Sequence, residues 1–186
     1  MRISGFSAIV IVIVLSACTA FDPGAPQAVQ ADAPVYKTLL SVKIPVRNAV
    51  ATLGLIATSQ GVQTWQTGDG VSVSLRDGLI VSTRGLGFDV MGSDVQQSLH
   101  AISGTLSGSY TVKRRYLTAD NRSASITATC TMSTSGTDRV FIEECTTLDS
   151  TFRNEYLLDA SGRIAQSIQW IGPEIEYLGL SYVNNG

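Results

Sequence analysis

The sequence has few charged residues, a single histidine, and no apolar run long enough to cross a membrane. Charged residues make up 15% of the 186 residues, below the roughly one quarter that is usual for soluble domains. Thirteen Lys and Arg against fifteen Asp and Glu give a net charge of −2, and the pI is near 5.3. A nucleic-acid-binding protein normally carries a concentrated basic surface, so this balance argues against nucleic acid as a partner.

The single histidine, His100, limits the catalytic chemistry that the sequence supports. A Ser-His-Asp triad needs a histidine beside its nucleophile, and the sequence contains no G-x-S-x-G elbow. It also contains no P-loop, and Gly85-Leu86-Gly87 lacks the third glycine and the directly following helix of a dinucleotide-binding loop. We therefore predict no enzymatic activity, no cofactor and no metal site, and we place His100 on the surface of a helix.

Apolar residues are concentrated at the N-terminus, where they account for much of the mean hydropathy of +0.19. Met1-Arg2 supplies a positive start, and residues 8–15 form an apolar run of eight. A membrane-spanning helix needs about 20 apolar residues. A short apolar run between a positive start and small residues is instead typical of a secretory signal peptide.

Leu15-Ser16-Ala17-Cys18 resembles the lipobox of bacterial lipoproteins. The resemblance implies a signal peptide at residues 1–17, cleavage before Cys18, and acylation of its thiol, with palmitate as a typical chain. The alternative is an ordinary secreted protein whose leader ends near a cysteine. In enteric bacteria an Asp after the anchor cysteine favours the inner membrane. Thr19 therefore favours the outer membrane, with the protein facing the periplasm.

The remainder of the chain divides into a tether and one domain. Residues 18–35 contain three prolines among Ala, Gly and Gln without apolar periodicity, which predicts a lipidated N-terminus and a flexible tether. Residues 36–183 show mostly period-two alternation and predict a single β-rich domain. The strand and turn spacing predicts a mainly β fold, either an antiparallel β-sandwich or a partly open barrel, with one short helix at 93–102.

Alternation and turn residues locate most of the expected strands. Asp69-Gly70 and Asp77-Gly78 are typical of hairpin turns, and they flank an alternating run at 71–75. The expected strands are 49–58, 62–66, 71–75, 79–83, 110–117, 124–132, 140–147, 152–159, 164–171 and 175–183. The glycines at 85 and 87 predict a β-bulge or a tight bend.

Once Cys18 carries lipid, Cys130 and Cys145 remain as an even pair in an oxidising compartment. A hairpin centred between Thr137 and Asp138 would place the two cysteines directly opposite each other and allow a disulfide. A tight turn on Ser135-Gly136 would instead place Cys130 opposite Phe141. Metal and redox sites are the alternatives, but there is no nearby histidine and no C-x-x-C. The disulfide register also places Glu143 on the inward face with Met132, so we expect a bulge or a rim position there.

Several polar and aromatic residues are candidates for contact with a glycan or a protein partner. Arg114, Arg115 and Tyr116 form a basic and aromatic cluster on one strand, and alternation sends Arg114 to the opposite face from Arg115. Trp65 and Trp170 could stack on sugar rings or lie in the core. Paired carboxylates would suit a polysaccharide hydrolase as an alternative function, and the candidates are Asp69, Asp77, Asp89, Glu143, Glu144, Asp159, Glu174 and Glu176.

Several blocks of sequence occur in the order found in one known family. They are residues 65, 71–75 and 77–83 in the centre, 114–116 and 123–124 after it, and 154–159, 161–164 and 167–169 near the end. With the LSAC motif, this order resembles the YjbF/GfcB lipoproteins of group 4 capsule and exopolysaccharide clusters. The resemblance implies a lipid-anchored protein of polysaccharide assembly or export. An acidic polysaccharide and outer-membrane export proteins are the expected partners, and a purely structural envelope module is a further alternative.

Overall fold

The structure is a computed structural model that describes residues 38–136 and 139–183. The described residues form twelve β-strands, one α-helix and a short 3₁₀ helix at Pro45–Arg47. The strands are β1 (Leu39–Ile44), β2 (Ala49–Ser59), β3 (Val62–Gln66), β4 (Ser72–Arg76), β5 (Leu79–Arg84), β6 (Asp89–Ser93), β7 (Ser109–Leu117), β8 (Ser123–Thr134), β9 (Val140–Thr146), β10 (Thr151–Leu158), β11 (Ile164–Gly172) and β12 (Glu176–Val183). Helix α1 (Gln96–Ile102) connects β6 and β7.

All twelve strands belong to one antiparallel sheet that is nearly closed into a barrel. Their order is β5-β4-β3-β2-β1-β12-β11-β10-β9-β8-β7-β6. Strands β1–β5 and β6–β12 are therefore two meanders, and the pairing of β1 with β12 joins them. The predicted class, mainly β with a partly open barrel and one short helix, is confirmed.

The two end strands, β5 and β6, meet at a seam that is held by side chains. Thr83 Oγ1 donates to Asp89 Oδ1 at 3.0 Å and accepts the Val90 N–H at 2.9 Å. The N–H groups of Gly85 and Leu86 donate to the same carboxylate at 3.0 and 3.1 Å. Asp89 thus fixes the bend between the strands, where Gly85 and Gly87 both have positive φ. These contacts limit the exposed strand edge that an open sheet would otherwise present.

The interior is filled by the inward side chains of each strand, as period-two alternation requires. Trp65 lies fully buried in the largest apolar cluster and packs edge-on against Tyr182, with ring centroids 5.6 Å apart. Gln169 spans the interior from β11 to β5. Its Oε1 accepts the Ile80 N–H at 3.0 Å, and its Nε2 donates to the Gly78 carbonyl at 2.8 Å. A side-chain amide thereby satisfies backbone groups of an end strand.

The sequence-based elements agree with the structure except at two short strands. Alternation did not single out β1, and the glycines at 85 and 87 obscured β6. His100 lies exposed on α1, as predicted, and shares a hydrogen bond with Gln96. The predicted leader at 1–17, Cys18 and the whole of the predicted tether at 18–35 lie outside the described residues. Within the described part of the chain, no helix has the length and apolar character needed to span a membrane.

The two Asp-Gly hairpins give a matched pair of glycine substitutions. Gly70 and Gly78 have φ of +94° and +88°, so Ala is strained at both positions. At Gly70 a Cβ meets nothing within 4 Å among the described residues, whereas at Gly78 it would lie 2.7 Å from Ile164 Cβ. We expect G70A to lower the free energy of unfolding by about 1 kcal/mol. G78A should cost about 1–3 kcal/mol more because of the steric contact. Urea unfolding measures both, and equal losses would contradict the packing argument.

Candidate functional site

Cys130 and Cys145 form the predicted disulfide between β8 and β9. The two residues are directly opposite each other in the ladder, and Met132 is opposite Glu143. The alternative register, with Cys130 opposite Phe141, does not occur because Phe141 pairs with Thr134. The bulge or rim position expected at Glu143 is also wrong. The ladder continues without a shift, and Glu143 lies in the interior with 1% of its surface exposed.

The Glu143 carboxylate accepts four side-chain hydrogen bonds. Oε1 accepts from the hydroxyls of Ser98 at 2.5 Å and Tyr110 at 2.8 Å. Oε2 accepts from Asn154 Nδ2 at 2.7 Å and the Tyr156 hydroxyl at 2.8 Å. The donors come from α1, β7 and β10. The carboxylate on β9 therefore links the helix to β7 and β10.

These donors balance the cost of placing a carboxylate in the interior. A buried charge is tolerated when hydrogen bonds replace its lost hydration. The same environment opposes ionisation of the tyrosines. Burial, followed by repulsion from the Glu143 carboxylate, raises the pKa of Tyr110 and of Tyr156 far above the usual value. Both phenols therefore stay protonated and keep donating to Glu143.

The chemistry of this cluster is structural. A carboxylate group has about four lone-pair positions that can accept hydrogen bonds. In Glu143 four protein donors occupy these positions. The sulfurs of Cys130 and Cys145 lie near a carboxylate oxygen of Glu143, all within 4.8 Å of one another. Because these sulfurs are bonded to each other, they are not the thiolates that bind a metal. We therefore assign Glu143 to the packing of α1 rather than to a reacting group.

Four of the five candidate contact residues lie in the interior. Trp65 and Tyr116 are fully buried, Arg114 and Trp170 are each 8% exposed, and Arg115 is exposed. The opposite orientation of Arg114 and Arg115 follows the predicted alternation. The four buried residues are not on the outer surface. Among the five candidates, Arg115 is therefore the one that a glycan or a protein partner could contact. That contact, like lipidation of Cys18, stays a prediction.

Arg114 has an internal role. Its Nη1 donates to the Trp170 carbonyl, and its Nε donates to Ser93 Oγ at 3.3 Å. Its guanidinium lies 5.5 Å from the centroid of the Phe152 ring, which stacks on Trp170 with centroids 4.3 Å apart. Guanidinium groups bind well over aromatic rings. These contacts tie β6, β7, β10 and β11 together.

The remaining acidic candidates lie apart, mostly in turns. Asp69, Asp77 and Asp159 occupy three different hairpin turns, where Asp is a favoured residue, and Asp69 and Asp159 accept local hydrogen bonds. Hydrogen bonds, first from the Ser161 side chain, lower the pKa of Asp159 to about 2. Asp89 holds the seam between β5 and β6, whereas Glu144, Glu174 and Glu176 are exposed. This distribution favours local structural roles over a hydrolytic pair.

The outer face of the sheet carries a shallow, open groove of about 480 Å³. Two cross-strand rows line it, and we call it the outer-face groove. One row runs Lys43, Gly179, Ile168, Glu155 and the other runs Ser41, Ser181, Gln166, Leu157, Val140. Gly179 has no side chain, and Ser41 and Ser181 are small, so the floor of the groove is low along β1 and β12.

The lining of the outer-face groove combines polar and apolar groups. Lys43 and Gln166 are exposed, and hydroxyls of Ser41 and Ser181 lie beside them. Ile168 and Leu157 are 48% and 38% exposed. Polar groups next to apolar side chains suit a ligand that has both hydroxyl groups and C–H faces. The groove is not evident from the sequence, because its residues come from five strands and none is unusual by itself.

Comparisons with known proteins give a family and a fold. A family model described as "Group 4 capsule polysaccharide lipoprotein gfcB, YjbF" matches residues 25–183. The crystal structure of the hypothetical lipoprotein YmcC from Escherichia coli (K12) is similar, with a TM-score of 0.70 and 16% identity. The match covers 82% of this chain and 86% of that chain, and it shows a shared fold. No curated protein matches the chain significantly.

Proposed function

The chain belongs to the YjbF family of group 4 capsule polysaccharide lipoproteins, and we propose that it supports capsule or exopolysaccharide assembly or export by binding the polysaccharide without cleaving it. Membership in this family implies association with the cell envelope. The proposed location is the periplasmic face of the outer membrane, with the chain held by lipid on Cys18. Thr19 after that cysteine supports this placement.

The observation that carries the proposal is the outer-face groove. Its two rows cross β1, β12, β11 and β10, and one of them continues to Val140 on β9, so it is an open path rather than an enclosed pocket. An open path admits the middle of a polymer, whereas a closed pocket admits only an end or a small molecule. Exposed Lys43 at the wall supplies a positive charge for an acidic polysaccharide. Serine hydroxyls and the Gln166 amide can exchange hydrogen bonds with sugar hydroxyls.

The acidic residues support binding over hydrolysis. A glycosidase needs two carboxyl groups on opposite sides of a bound glycosidic bond. Glu143 is enclosed and holds four donors, and Glu155 in the groove is paired with Arg153 at 3.0 Å. The groove thus offers a single carboxylate, and this carboxylate already has a cationic partner.

The exposed apolar side chains support a second candidate, which is binding of an outer-membrane export protein. Ile168 and Leu157 lie on the groove wall, and Val140 extends the apolar surface onto β9. Exposed apolar groups on a flat face are typical of protein contacts. Polysaccharide binding and partner binding would use the same face, so one substitution tests both.

Filling the groove at Gly179 is the test. A Cβ there would lie 3.6 Å from Lys43 Cβ, an ordinary contact, and the backbone conformation suits any residue. We expect G179V to weaken the binding of an acidic polysaccharide at least tenfold while leaving the unfolding temperature within a few degrees. Titration calorimetry of the full-length protein in detergent measures the affinity.

Thr129→Val is the matched control, since Thr129 is exposed on the outer face of β8, between Thr111 and Thr146 and away from Arg115. We expect it to leave affinity unchanged. Equal affinities of G179V and the unsubstituted protein would contradict polysaccharide binding in the groove. If G179V impairs surface polysaccharide in cells while glycan affinity is unchanged, the export-protein candidate is favoured instead.

A further inference from the structure

A second and smaller depression, of about 260 Å³, lies near the seam of the barrel. It is formed by Val62 and Arg76 on β3 and β4, Val81 on β5, and the corner between β6 and α1, with Ser93, Asp94 and Gln96. We call it the seam pocket. Its volume is slightly below the range of about 300–1,000 Å³ typical for drug-sized ligands. The seam pocket therefore fits a group of roughly one sugar residue and not a polymer segment.

Arg76 is the unusual residue of the seam pocket. Its Nε is buried and has no acceptor among the described residues, and no described carboxylate oxygen lies within 4 Å of its guanidinium. Its only hydrogen bond in the described part of the chain is a long one, from Nη2 to the Gln60 carbonyl at 3.5 Å. A buried polar group without a partner costs free energy, so each instance needs an explanation. By contrast, Arg114 is held by hydrogen bonds and aromatic rings.

Asp94 makes the pocket more selective than an arginine alone would. Its Oδ1 accepts the Gln96 N–H at 3.2 Å, and no described donor lies on its Oδ2. A bare anion on Arg76 would be repelled by this carboxylate across the small pocket. A ligand that carries both a carboxylate and hydroxyl groups would satisfy both residues, because the hydroxyls donate to Asp94. Ser93 and Gln96 also line the pocket, where Ser93 Oγ accepts from Arg114 and the Gln96 amide shares a hydrogen bond with His100.

We propose that the seam pocket binds one carboxylate-bearing sugar residue, with the carboxylate on the Arg76 guanidinium and a hydroxyl on Asp94. Arginine holds carboxylates through two parallel hydrogen bonds, which gives both affinity and orientation. The inference rests on the proposed function, since the ligand would be an acidic residue of the bound polysaccharide. The seam pocket uses β3–β6 and the outer-face groove uses β1 and β9–β12, so each can be removed without the other.

The experiment titrates the full-length protein with hyaluronan oligosaccharides, which alternate glucuronate with N-acetylglucosamine. We expect saturable binding that Arg76→Gln weakens tenfold or more, the usual effect of losing a charge-assisted pair. Arg84→Gln is the matched control. It makes the same charge change at an exposed residue at the far end of β5, and it should leave the affinity unchanged. Neutral chitin oligosaccharides should be insensitive to Arg76→Gln.

The outcomes separate the two sites. Loss of affinity in R76Q within a G179V background supports the seam pocket even if the groove contributes nothing. If G179V loses affinity and R76Q keeps the affinity of the unsubstituted protein, the result supports the outer-face groove and overturns the seam pocket. Competition by inorganic phosphate as strong as that by glucuronate overturns the sugar assignment, as does the absence of saturable binding. If R76Q is poorly folded, Arg76→Lys tests the seam pocket instead. It keeps the positive charge but lacks the two parallel hydrogen bonds of a guanidinium, so it should still lose affinity.

Discussion

Glu143→Ala is expected to lower the free energy of unfolding by about 4 kcal/mol. The substitution removes the acceptor of four buried donors from Ser98, Tyr110, Asn154 and Tyr156. Breaking a buried charged network by removing one partner typically costs about 3–5 kcal/mol, because the remaining polar groups are left unpaired. Urea unfolding followed by tryptophan fluorescence reports the change, since the backbone N–H of Trp170 donates to Asn154 Oδ1, and Asn154 in turn donates to Glu143.

Glu143→Gln separates the charge from the hydrogen bonds. The amide keeps one acceptor oxygen, and the hydroxyls of Ser98 and Tyr110 can rotate to accept from its nitrogen, so we expect a smaller loss of about 2 kcal/mol. Glu144 is the control, because it is the next residue on β9 and is exposed. Glu144→Ala should change stability by less than about 0.5 kcal/mol. A loss below 1 kcal/mol in Glu143→Ala would contradict the structural role of the network.

Removal of the disulfide is the second large expected effect. Replacing both Cys130 and Cys145 by Ala should lower the free energy of unfolding by about 3 kcal/mol, the chain-entropy value for a loop of about 15 residues. The sequence separation of the bridged residues is 15. The loss should be evident at the urea midpoint of the double variant. Mass measurement with and without reductant on the unsubstituted protein reports the bond itself.

The matching control is chemical. Reduction of the unsubstituted protein should bring its unfolding midpoint close to that of the double variant, whereas the double variant should not respond to reductant. Because Glu143 lies beside the disulfide, the Glu143 and cysteine substitutions should not be additive. A double variant as stable as the unsubstituted protein would mean that the β8–β9 ladder needs no covalent link.

The secondary structure was predictable because a strand with one buried face imposes a period of two on its sequence. Residues 71–75 alternate, and their inward positions Val73 and Leu75 are indeed buried. Strand β6 was missed because Gly92 interrupts its pattern and two glycines precede it. The joining of the two meanders into one sheet was not predictable, since it depends on β1 pairing with β12, and these strands lie at opposite ends of the domain.

The disulfide was predictable from the oxidising compartment, the even number of remaining cysteines and the spacing of Cys130 and Cys145. The burial of Glu143 was not predictable. Alternation placed Glu143 on the inward face with Cys145, and its charge argued for a bulge or a rim position. The donors that make burial tolerable come from α1, β7 and β10, which no local pattern relates to β9. Trp65 and Tyr116 are the opposite case, because their residue types made them candidates for surface contact and the structure buries both in the core. Aromatic residues suit a sugar site and a core equally well, and only the three-dimensional packing distinguishes the two.

The order of strands also has a consequence for how the chain folds. Among the described strands, ten of the eleven pairings join strands that are consecutive in sequence, and the pairing of β1 with β12 is the distant one. Hairpins of neighbouring strands close short loops and form rapidly. The loop closed by β1 and β12 includes almost the whole domain and carries the largest entropy cost. We therefore expect the two meanders to form early and their joining, which pairs Leu39 with Val183, to limit the folding rate.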